Sequence, residues 1–289
     1  MNARKAPAAF EWGSRTYLMG IVNVTPDSFS GDGLMASTTE WVDAAVREGQ
    51  RHARAGADIV DVGGESTRPG AEPLSLKEEL GRVIPVIAEL SKKIAVPISI
   101  DTYKSEVARQ AIEAGARIIN DVWGLKRDPK IASVAAEYGT PLILMHNRSE
   151  ERRVERKAGL GARYTDMQYG DLLADIRREL QEAADKATGA GVARERLILD
   201  PGIGFGKTVQ QNLELLDRLR ELRAIGFPIL VGPSRKSFVG YTLDLPPEER
   251  LEGTAAAVAL AIDRGADIVR VHDVKAMHRV ARFTDAVVR

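Results

Sequence analysis

The chain contains 289 residues, with 41 Lys and Arg against 41 Asp and Glu, so its formal net charge is zero. This balance argues against nucleic acid or an anionic membrane as the main partner, and it favours a small-molecule ligand. No cysteine is present, which excludes disulfides, thiolate metal sites and a cysteine nucleophile. Because residues 1–12 lack the apolar stretch of a secretory signal and the longest apolar run covers only residues 255–262, we expect a soluble, cytoplasmic protein without a membrane span.

Apolar, β-branched runs alternate strictly with segments of helical periodicity along the chain. The runs predict strands at residues 17–24, 58–62, 97–100, 118–119, 141–145, 197–199, 228–231 and 267–271. The periodic segments predict helices at residues 38–55, 76–93, 105–114, 130–138, 166–188, 209–225, 248–264 and 274–287.

Eight βα units in a chain of this length favour a single α/β domain, residues 1–289, folded as a (β/α)8 TIM barrel at about residues 17–287. A doubly wound open sheet is the alternative. Residues 10–16 precede the first barrel strand. They predict a short N-terminal hairpin, with its turn at Gly13 and Ser14, that closes the floor of the barrel.

Every apolar run leads into a polar side chain. In a barrel the carboxyl ends of the strands meet on one face, so we expect these side chains around one cavity. In chain order they are Asn23, Asp61, Asp101, Asn120, His146, Asp200, the turn at residues 234–236, Arg270 and His272.

The acceptors Asp101, Asn120 and Asp200 follow strands that are apolar throughout. Singly, Asp101 could cap a helix and Asn120 could form a turn. Together, buried acceptors need donor-rich partners, and Lys236 and Arg270 are too few to pair with all of them. A ligand with several N–H donors, such as a 2-aminopyrimidinone edge, would complete the set.

Arg270 and His272 lie two residues apart on the last strand and therefore face the same side. With Asn23, Arg68 and backbone N–H groups they could hold a di-anion such as pyrophosphate, bridged by Mg²⁺ through Asn23. The segment 234–237 could add an anion site or be a solvated basic turn. No serine can be paired with a histidine base from the sequence, so covalent catalysis is not indicated.

Two Gly/Pro/Ser-rich loops, residues 25–37 and 65–73, are long for βα connections and are candidate lids. A third loop, residues 147–165, carries compensating charges and is interpreted as a solvated, mobile loop.

Residues 200–208 nearly match a phosphate-binding P-loop. Pro201 occupies the position that requires glycine, and proline lacks the backbone donor of the phosphate cradle. A Gly-rich turn that lets a ligand approach the backbone, with the Phe205 ring beside it, is the favoured interpretation.

Seven motifs, taken in order, resemble those of dihydropteroate synthases over about residues 17–280. They are Asn23–Ser30, Gly63–Gly70, Ile100–Thr102, Ile119–Asp121, Asp200–Lys207, Ser234–Ser237 and Arg270–Asp273. The resemblance implies a (β/α)8 barrel that condenses 6-hydroxymethyl-7,8-dihydropterin pyrophosphate with 4-aminobenzoate, using Mg²⁺, by a dissociative, SN1-like displacement. It also implies a homodimer that acts in folate biosynthesis and is a sulfonamide target.

The resemblance further implies overlapping sets of site residues. The pterin set is Asp101, Asn120, Asp200, Phe205, Lys236 and Arg270. The pyrophosphate set, in which Asn23 also ligates the metal, is Asn23, Arg68, Arg270 and His272. The aminobenzoate set is Phe29, Thr67, Pro69, Phe205, Lys236 and Ser237. The implied catalytic residues are Arg68, Lys236, Arg270 and His272.

The chain departs from the family pattern in two places. Family members commonly place Asp directly after the serine matching Ser30, whereas this chain has Gly31 and then Asp32, so either Asp27 or Asp32 could support the first loop or the metal. The loop at 147–165 is longer and more charged, so no contact is carried over to it. Two alternatives stay open, a pterin-binding methyltransferase domain and a non-catalytic paralogue.

Overall fold

The computed structural model describes residues 10–24, 38–66, 72–150 and 153–289. Eight parallel strands form one sheet, and they are β1 Tyr17–Asn23, β2 Ile59–Gly63, β3 Ile98–Asp101, β4 Ile118–Asp121, β5 Leu142–Met145, β8 Leu197–Asp200, β9 Leu230–Val231 and β10 Ile268–Val271. Their order in the sheet is β8-β5-β4-β3-β2-β1-β10-β9. A parallel bridge between Leu199 and Ile229 joins the two ends of this order. The sheet is therefore closed into the predicted barrel, and the open-sheet alternative is excluded.

Helices cover the outside of the barrel between successive strands. Within the described residues they are α1 Thr38–Arg54, α2 Leu76–Leu90, α3 Ser105–Ala114, α4 Lys130–Tyr138, α5 Leu172–Gly189, α6 Val209–Asp217, α7 Ser237–Leu243, α8 Leu251–Asp263 and α9 Val274–Val288. Short 3₁₀ turns lie at Arg194–Arg196, Leu219–Ile225 and Pro247–Glu249. None of the helices in the described part of the chain combines the length and apolarity that a membrane span requires.

Most predicted helices differ from the observed ones by three residues or fewer at either end, and three differences are larger. The helix predicted at 166–188 begins only at Leu172, because the Asp171 side chain accepts the N–H of Ala174 and caps the first turn. The helix predicted at 209–225 is α6 followed by a 3₁₀ segment. Helix α7 was not predicted, since seven residues are too few to display a helical period.

An apolar layer fills the inside of the barrel beneath the polar strand ends. Side chains two residues apart on a strand face the same side, so each inward residue is followed by another inward residue two positions later. The buried inner layer is Tyr17, Met19, Ile59, Ile118, Ile143, Ile198, Leu230 and Ile268. Two positions beyond four of these lie Asp61, Asn120, Asp200 and Arg270. The alternation of side chains along the strands thus places these polar groups directly above the apolar inner layer.

The N-terminal segment closes the bottom of the barrel without forming a strand. Phe10 and Trp12 pack against the inner layer, and both rings lie 4.9 to 5.6 Å from the Tyr17 ring. The predicted reversal at Gly13 and Ser14 is a turn, but residues 10–16 contain no paired strands, so the hairpin prediction is wrong in that respect. Aromatic packing and the bond from Glu11 N–H to the Tyr17 hydroxyl, 2.8 Å, hold the segment instead.

The charged connection at 147–165 is ordered as an antiparallel hairpin, in contrast to the solvated loop that the sequence suggested. Its strands are β6 Val154–Lys157 and β7 Gly161–Tyr164. The charges do compensate one another, as in the 2.9 Å pair of Arg163 and Glu155. Leu160 and Tyr164 are nevertheless buried, and that burial docks the hairpin on the barrel.

Candidate active site

Arg270 bridges two carboxylates across the top of the barrel. From β10 its Nε donates to Asp61 Oδ2 on β2, and its Nη2 donates to Asp101 Oδ2 on β3, both at 2.7 Å. Asp61 is fully buried and Asp101 nearly so. Charge-assisted bonds of this geometry offset the desolvation of the three groups, which fixes the guanidinium over the centre of the cavity.

Asp61 also holds a second site residue. The Asn120 side-chain amide donates to Asp61 Oδ2 at 3.2 Å, so one buried carboxylate orients both Arg270 and Asn120. Sequence reasoning found Asp61 as a polar strand end but assigned it no ligand. Its actual partners lie 59 and 209 residues away in the sequence, and no local pattern predicts such pairings.

Asp200 and Lys236 form the opposite wall of the cavity. Asp200 Oδ1 accepts the Gly202 N–H at 2.7 Å, while Lys236 Nζ donates to the Ile203 carbonyl and lies 4.1 Å from the centre of the Phe205 ring. The predicted members Asp200, Phe205 and Lys236 are therefore brought together by the 200–208 loop.

Burial shifts the pKa values of Asp101, Asp200 and Lys236. It raises the pKa of the Asp101 carboxyl, an effect that Arg270 opposes. It also raises the pKa of Asp200, opposed by the Gly202 N–H. For Lys236, burial lowers the pKa to about 7, although Asp200 acts in the other direction. Perturbed carboxylates and a perturbed lysine around one cavity are typical of a functional site.

Lys207 does not act as the lysine of a P-loop. Its side chain is 1% exposed and points into the loop, where Nζ lies 3.0 Å from the Gly202 carbonyl, the Phe205 carbonyl and His146 Nδ1. Burial and Lys207 lower the pKa of His146 to about 3, so the neutral ring can accept at Nδ1. His146 Nε2 lies 3.3 Å from Glu179 Oε2, which favours the proton on that nitrogen. Lys207 thus stabilises the 200–208 loop by binding two of its own backbone carbonyls.

The residues predicted to bind an anion lie where β1 meets β10. Asn23 is the last residue of β1, which pairs with β10. His272 follows β10, and its backbone N–H and ring Nδ1 lie 3.2 and 3.0 Å from Ser234 Oγ. The hydroxyl can accept from the former and donate to the latter, which orients the ring. Sequence reasoning missed this positioning role of Ser234, although it noted the 234–237 turn.

Several predicted residues cannot be placed. Ser237 is half-buried at the start of α7, next to Lys236 in the chain. The first and second candidate lids lie largely outside the described residues. Outside the described residues lie the predicted residues Asp27, Phe29, Asp32, Thr67, Arg68 and Pro69.

The cavity can bind a planar heterocycle that offers N–H donors. Acceptors from Asp101, Asn120 and Asp200 converge above an apolar layer, and two cations flank them. An arrangement of fixed charges favours electrostatic stabilisation over covalent chemistry.

Gly202 provides a test of how the 200–208 loop is built. We expect Gly202→Ala to destabilise the protein by at least twice the roughly 1–2 kcal/mol that a left-handed alanine costs. The reason is that Gly202 has φ +70° and a Cβ there would lie 1.9 Å from the His146 carbonyl oxygen. Urea unfolding gives the free energy.

Gly159 is the matched control, because its φ is +76° and a Cβ would meet no atom within 4 Å. Gly159→Ala should show the conformational cost alone. Equal losses for the two variants would mean that the close approach to His146 does not constrain the loop.

Comparison with known proteins agrees with this geometry. Residues 19–272 match the sequence profile of the family described as pterin binding enzyme. Dihydropteroate synthase of Bacillus subtilis (strain 168) is 50% identical over 281 residues, covering 97% of this chain and 92% of that protein.

Two solved structures are similarly close. Dihydropteroate synthase from Clostridium difficile, solved in the presence of pteroic acid, has a TM-score of 0.87 at 45% identity and covers 97% of this chain and 99% of that one. The Xanthomonas albilineans enzyme with 4-aminobenzoic acid has a TM-score of 0.84 at 44% identity, covering 94% and 93%. The chain belongs to the dihydropteroate synthase family of pterin-binding enzymes.

Proposed function

We propose that the chain condenses 6-hydroxymethyl-7,8-dihydropterin pyrophosphate with 4-aminobenzoate to give 7,8-dihydropteroate and pyrophosphate, a step of folate biosynthesis. The observation that carries the proposal is the convergence of Asp101, Asn120 and Asp200 with Arg270 and Lys236 in one buried cavity. The ligands of the related structures, pteroic acid and 4-aminobenzoic acid, are the chemical classes that this cavity suits.

The pterin ring supplies the N–H donors that the acceptors of the cavity need. Its 2-amino and ring N–H groups are donors, and they match the acceptors of Asp101, Asn120 and Asp200. Asp101 binds Arg270 through Oδ2, so Oδ1 can accept from the ring. A neutral, donor-rich ligand satisfies these acceptors without adding charge to the low-dielectric cavity.

The pyrophosphate group would lie at the β1 and β10 ends, where Arg270 and His272 are positioned by Asp61 and Ser234. The described residues contain no cluster of three or more acidic or histidine ligands, so a metal ion there would take further oxygens from the substrate or from residues outside the described ranges. Mg²⁺ commonly binds in this way, through one or two protein oxygens plus phosphate, and the Asn23 amide oxygen fits that role. Bound Mg²⁺ would neutralise charge on the leaving pyrophosphate.

The reaction follows as a dissociative displacement at the exocyclic CH₂ of the pterin. The electron-rich ring carries the developing positive charge, while Arg270 and His272 stabilise the departing pyrophosphate. The Phe205 ring and Lys236 border the position from which 4-aminobenzoate attacks. No general base is needed, because the aniline nitrogen is a free nucleophile at neutral pH. Exclusion of water and alignment of the amine are the remaining tasks of the protein.

The first test is the reaction itself. The purified protein with Mg²⁺ and both substrates should form dihydropteroate and release pyrophosphate in equal amounts, and chelation of the metal should slow the release. A coupled pyrophosphate assay with chromatography of the product measures both. A sulfonamide should compete with 4-aminobenzoate in this assay.

The two alternatives predict different outcomes. A non-catalytic paralogue would bind pterin while pyrophosphate release stayed at background. A methyltransferase-like domain would bind a folate and show no dependence on 4-aminobenzoate. Either result would overturn the synthase proposal.

The second test concerns the pterin acceptors. Asp101→Asn should weaken the binding of 6-hydroxymethylpterin by at least about 100-fold, because the amide places N–H groups against ligand donors in a buried site. Isothermal titration calorimetry measures the affinity, and circular dichroism checks the fold. Asp285→Asn is the control, since Asp285 binds Thr16 at the foot of the barrel, below the site.

The same titration has a pH dependence of known sign. Burial raises the pKa of Asp101, so acidification protonates this carboxyl earlier than a free aspartate and removes an acceptor. Pterin affinity of the unaltered protein should therefore fall as the pH is lowered. Unchanged affinity in Asp101→Asn would mean that the pterin site has been misplaced.

We further propose that the protein is a homodimer through α8 and α9. Phe283 and Val287, one helical turn apart on α9, are 76% and 71% exposed, and Leu260 on α8 is 42% exposed. Exposed apolar side chains grouped in this way are typical of a protein interface. Helices α8 and α9 pack against each other, so the three can belong to one surface.

Sedimentation equilibrium tests the dimer. The expected mass is twice the 31.5 kDa of the chain, and Phe283→Glu should shift it to that of the monomer because a charge cannot be buried unpaired at the interface. Leu76→Glu is the control, since Leu76 is 42% exposed on α2. A monomeric unaltered protein at micromolar concentration would contradict the proposal.

A further inference from the structure

Arg235, the residue before Lys236, has a backbone conformation that its side chain does not favour. Its φ is +56°, in the left-handed region that non-glycine residues rarely adopt. Such conformations persist only where surrounding contacts impose them, and they concentrate at functional sites. Lys236 and Ser237 follow Arg235 directly, so the direction in which they leave the turn depends on this conformation.

Two residues one turn apart at the start of α8 hold the Arg235 backbone on both sides. The Arg235 N–H donates to Thr254 Oγ1 at 3.0 Å, and the Arg235 carbonyl accepts from Arg250 Nη1 at 3.0 Å. Thr254 is fully buried and Arg250 is 2% exposed. The Arg235 side chain is fixed separately, by bonds of 2.9 and 2.6 Å to Asp273.

In the described chain, the hydrogen bonds of the Arg250 side chain all go to backbone carbonyls. Besides Arg235, its Nε donates to the Leu245 carbonyl and its Nη2 to the Leu160 carbonyl at the hairpin tip, both at 3.0 Å. Its guanidinium runs along the bare backbone of α7, where a Cβ at Gly240 would lie 2.1 Å from Nη2. The planar fork of donors thus joins three separate segments at one point.

The hairpin formed by β6 and β7 contacts α7, the helix that begins with Ser237, a member of the implied aminobenzoate set. The Tyr241 hydroxyl on α7 donates to the Gly161 carbonyl at 3.1 Å, and the Arg163 guanidinium lies 4.9 Å from the Tyr241 ring centre. Leu160, whose carbonyl binds Arg250, is buried beneath this contact. The connection that looked like a solvated loop in the sequence is therefore attached to the back of the 234–237 turn.

We propose that Arg250 is a positioning residue for 4-aminobenzoate, which acts by holding Arg235 in its left-handed conformation so that Lys236 and Ser237 face the substrate. This inference rests on the proposed function of those two residues. Arg250 lies behind the turn and touches Arg235 through its carbonyl, so its effect on the substrate is indirect. A small displacement of positioning groups is enough to change rate or affinity by one to two orders of magnitude.

Steady-state kinetics of Arg250→Met tests the proposal. We expect the KM for 4-aminobenzoate to rise about tenfold and the KM for the pterin substrate to rise clearly less, because Lys236 alone of the proposed pterin residues lies on the turn, and the acceptors on β3, β4 and β8 do not depend on Arg250. Arg264→Met is the control, since Arg264 lies at the other end of α8 and binds Asp217 at 2.8 Å. That control should keep both KM values.

A second variant separates positioning from general destabilisation. Glycine adopts positive φ without strain, so Arg235→Gly added to Arg250→Met should lower the aminobenzoate KM again. A purely structural role of Arg250 predicts no such recovery, because the Arg250 contacts to Leu245 and Leu160 remain lost in the double variant.

The outcomes distinguish this inference from the proposed function. If the unaltered protein forms no dihydropteroate, the proposed function fails whatever Arg250 does. If it turns over normally and Arg250→Met leaves the aminobenzoate KM unchanged, or raises both KM values equally without recovery by Arg235→Gly, the positioning role is wrong.

Discussion

The pairing of Arg270 with Asp61 and Asp101 is the interaction on which the rest of the site depends. Three buried charges on strands β10, β2 and β3 would each be costly alone, and together they fix one another across the barrel. Asn120 is drawn into the same network by Asp61. On the opposite wall, the Asp200 carboxylate favours the charged form of Lys236, which burial disfavours. The cavity thus holds its charges in place before any ligand arrives, which is the preorganisation that electrostatic catalysis requires.

Local periodicity explains why so much of this could be predicted from the sequence. The strand alternation that makes Ile59, Ile118, Ile198 and Ile268 an inner layer also brings Asp61, Asn120, Asp200 and Arg270 inward. Barrel closure then places all the strand ends on one face. The strands, most helices and the described site residues follow from these two rules, and the family motifs supply the ligands.

What the sequence could not predict depends on hydrogen bonds from side chains to backbone carbonyls. Lys207 and Arg250 look like a P-loop lysine and an ordinary helix-start arginine, yet both are buried and donate to carbonyls. A carbonyl acceptor has no residue type, so such pairings leave no pattern in the sequence. The hairpin at 154–164 was misjudged for a related reason, since its charged residues conceal the burial of Leu160 and Tyr164.

The two loops that border the proposed aminobenzoate position are held in the same way. Lys207 braces the 200–208 loop through the Gly202 and Phe205 carbonyls, and Arg250 braces the 234–237 turn through the Arg235 carbonyl. Each basic side chain lies behind its loop, and in the described chain neither is hydrogen-bonded to a carboxylate. Under the proposed function, a carboxylate partner for either one would add a negative charge near the departing pyrophosphate and oppose Arg270 and His272. Neutral carbonyls satisfy the donors and make the loops rigid without that penalty, so the strands can supply charge while the loops supply shape.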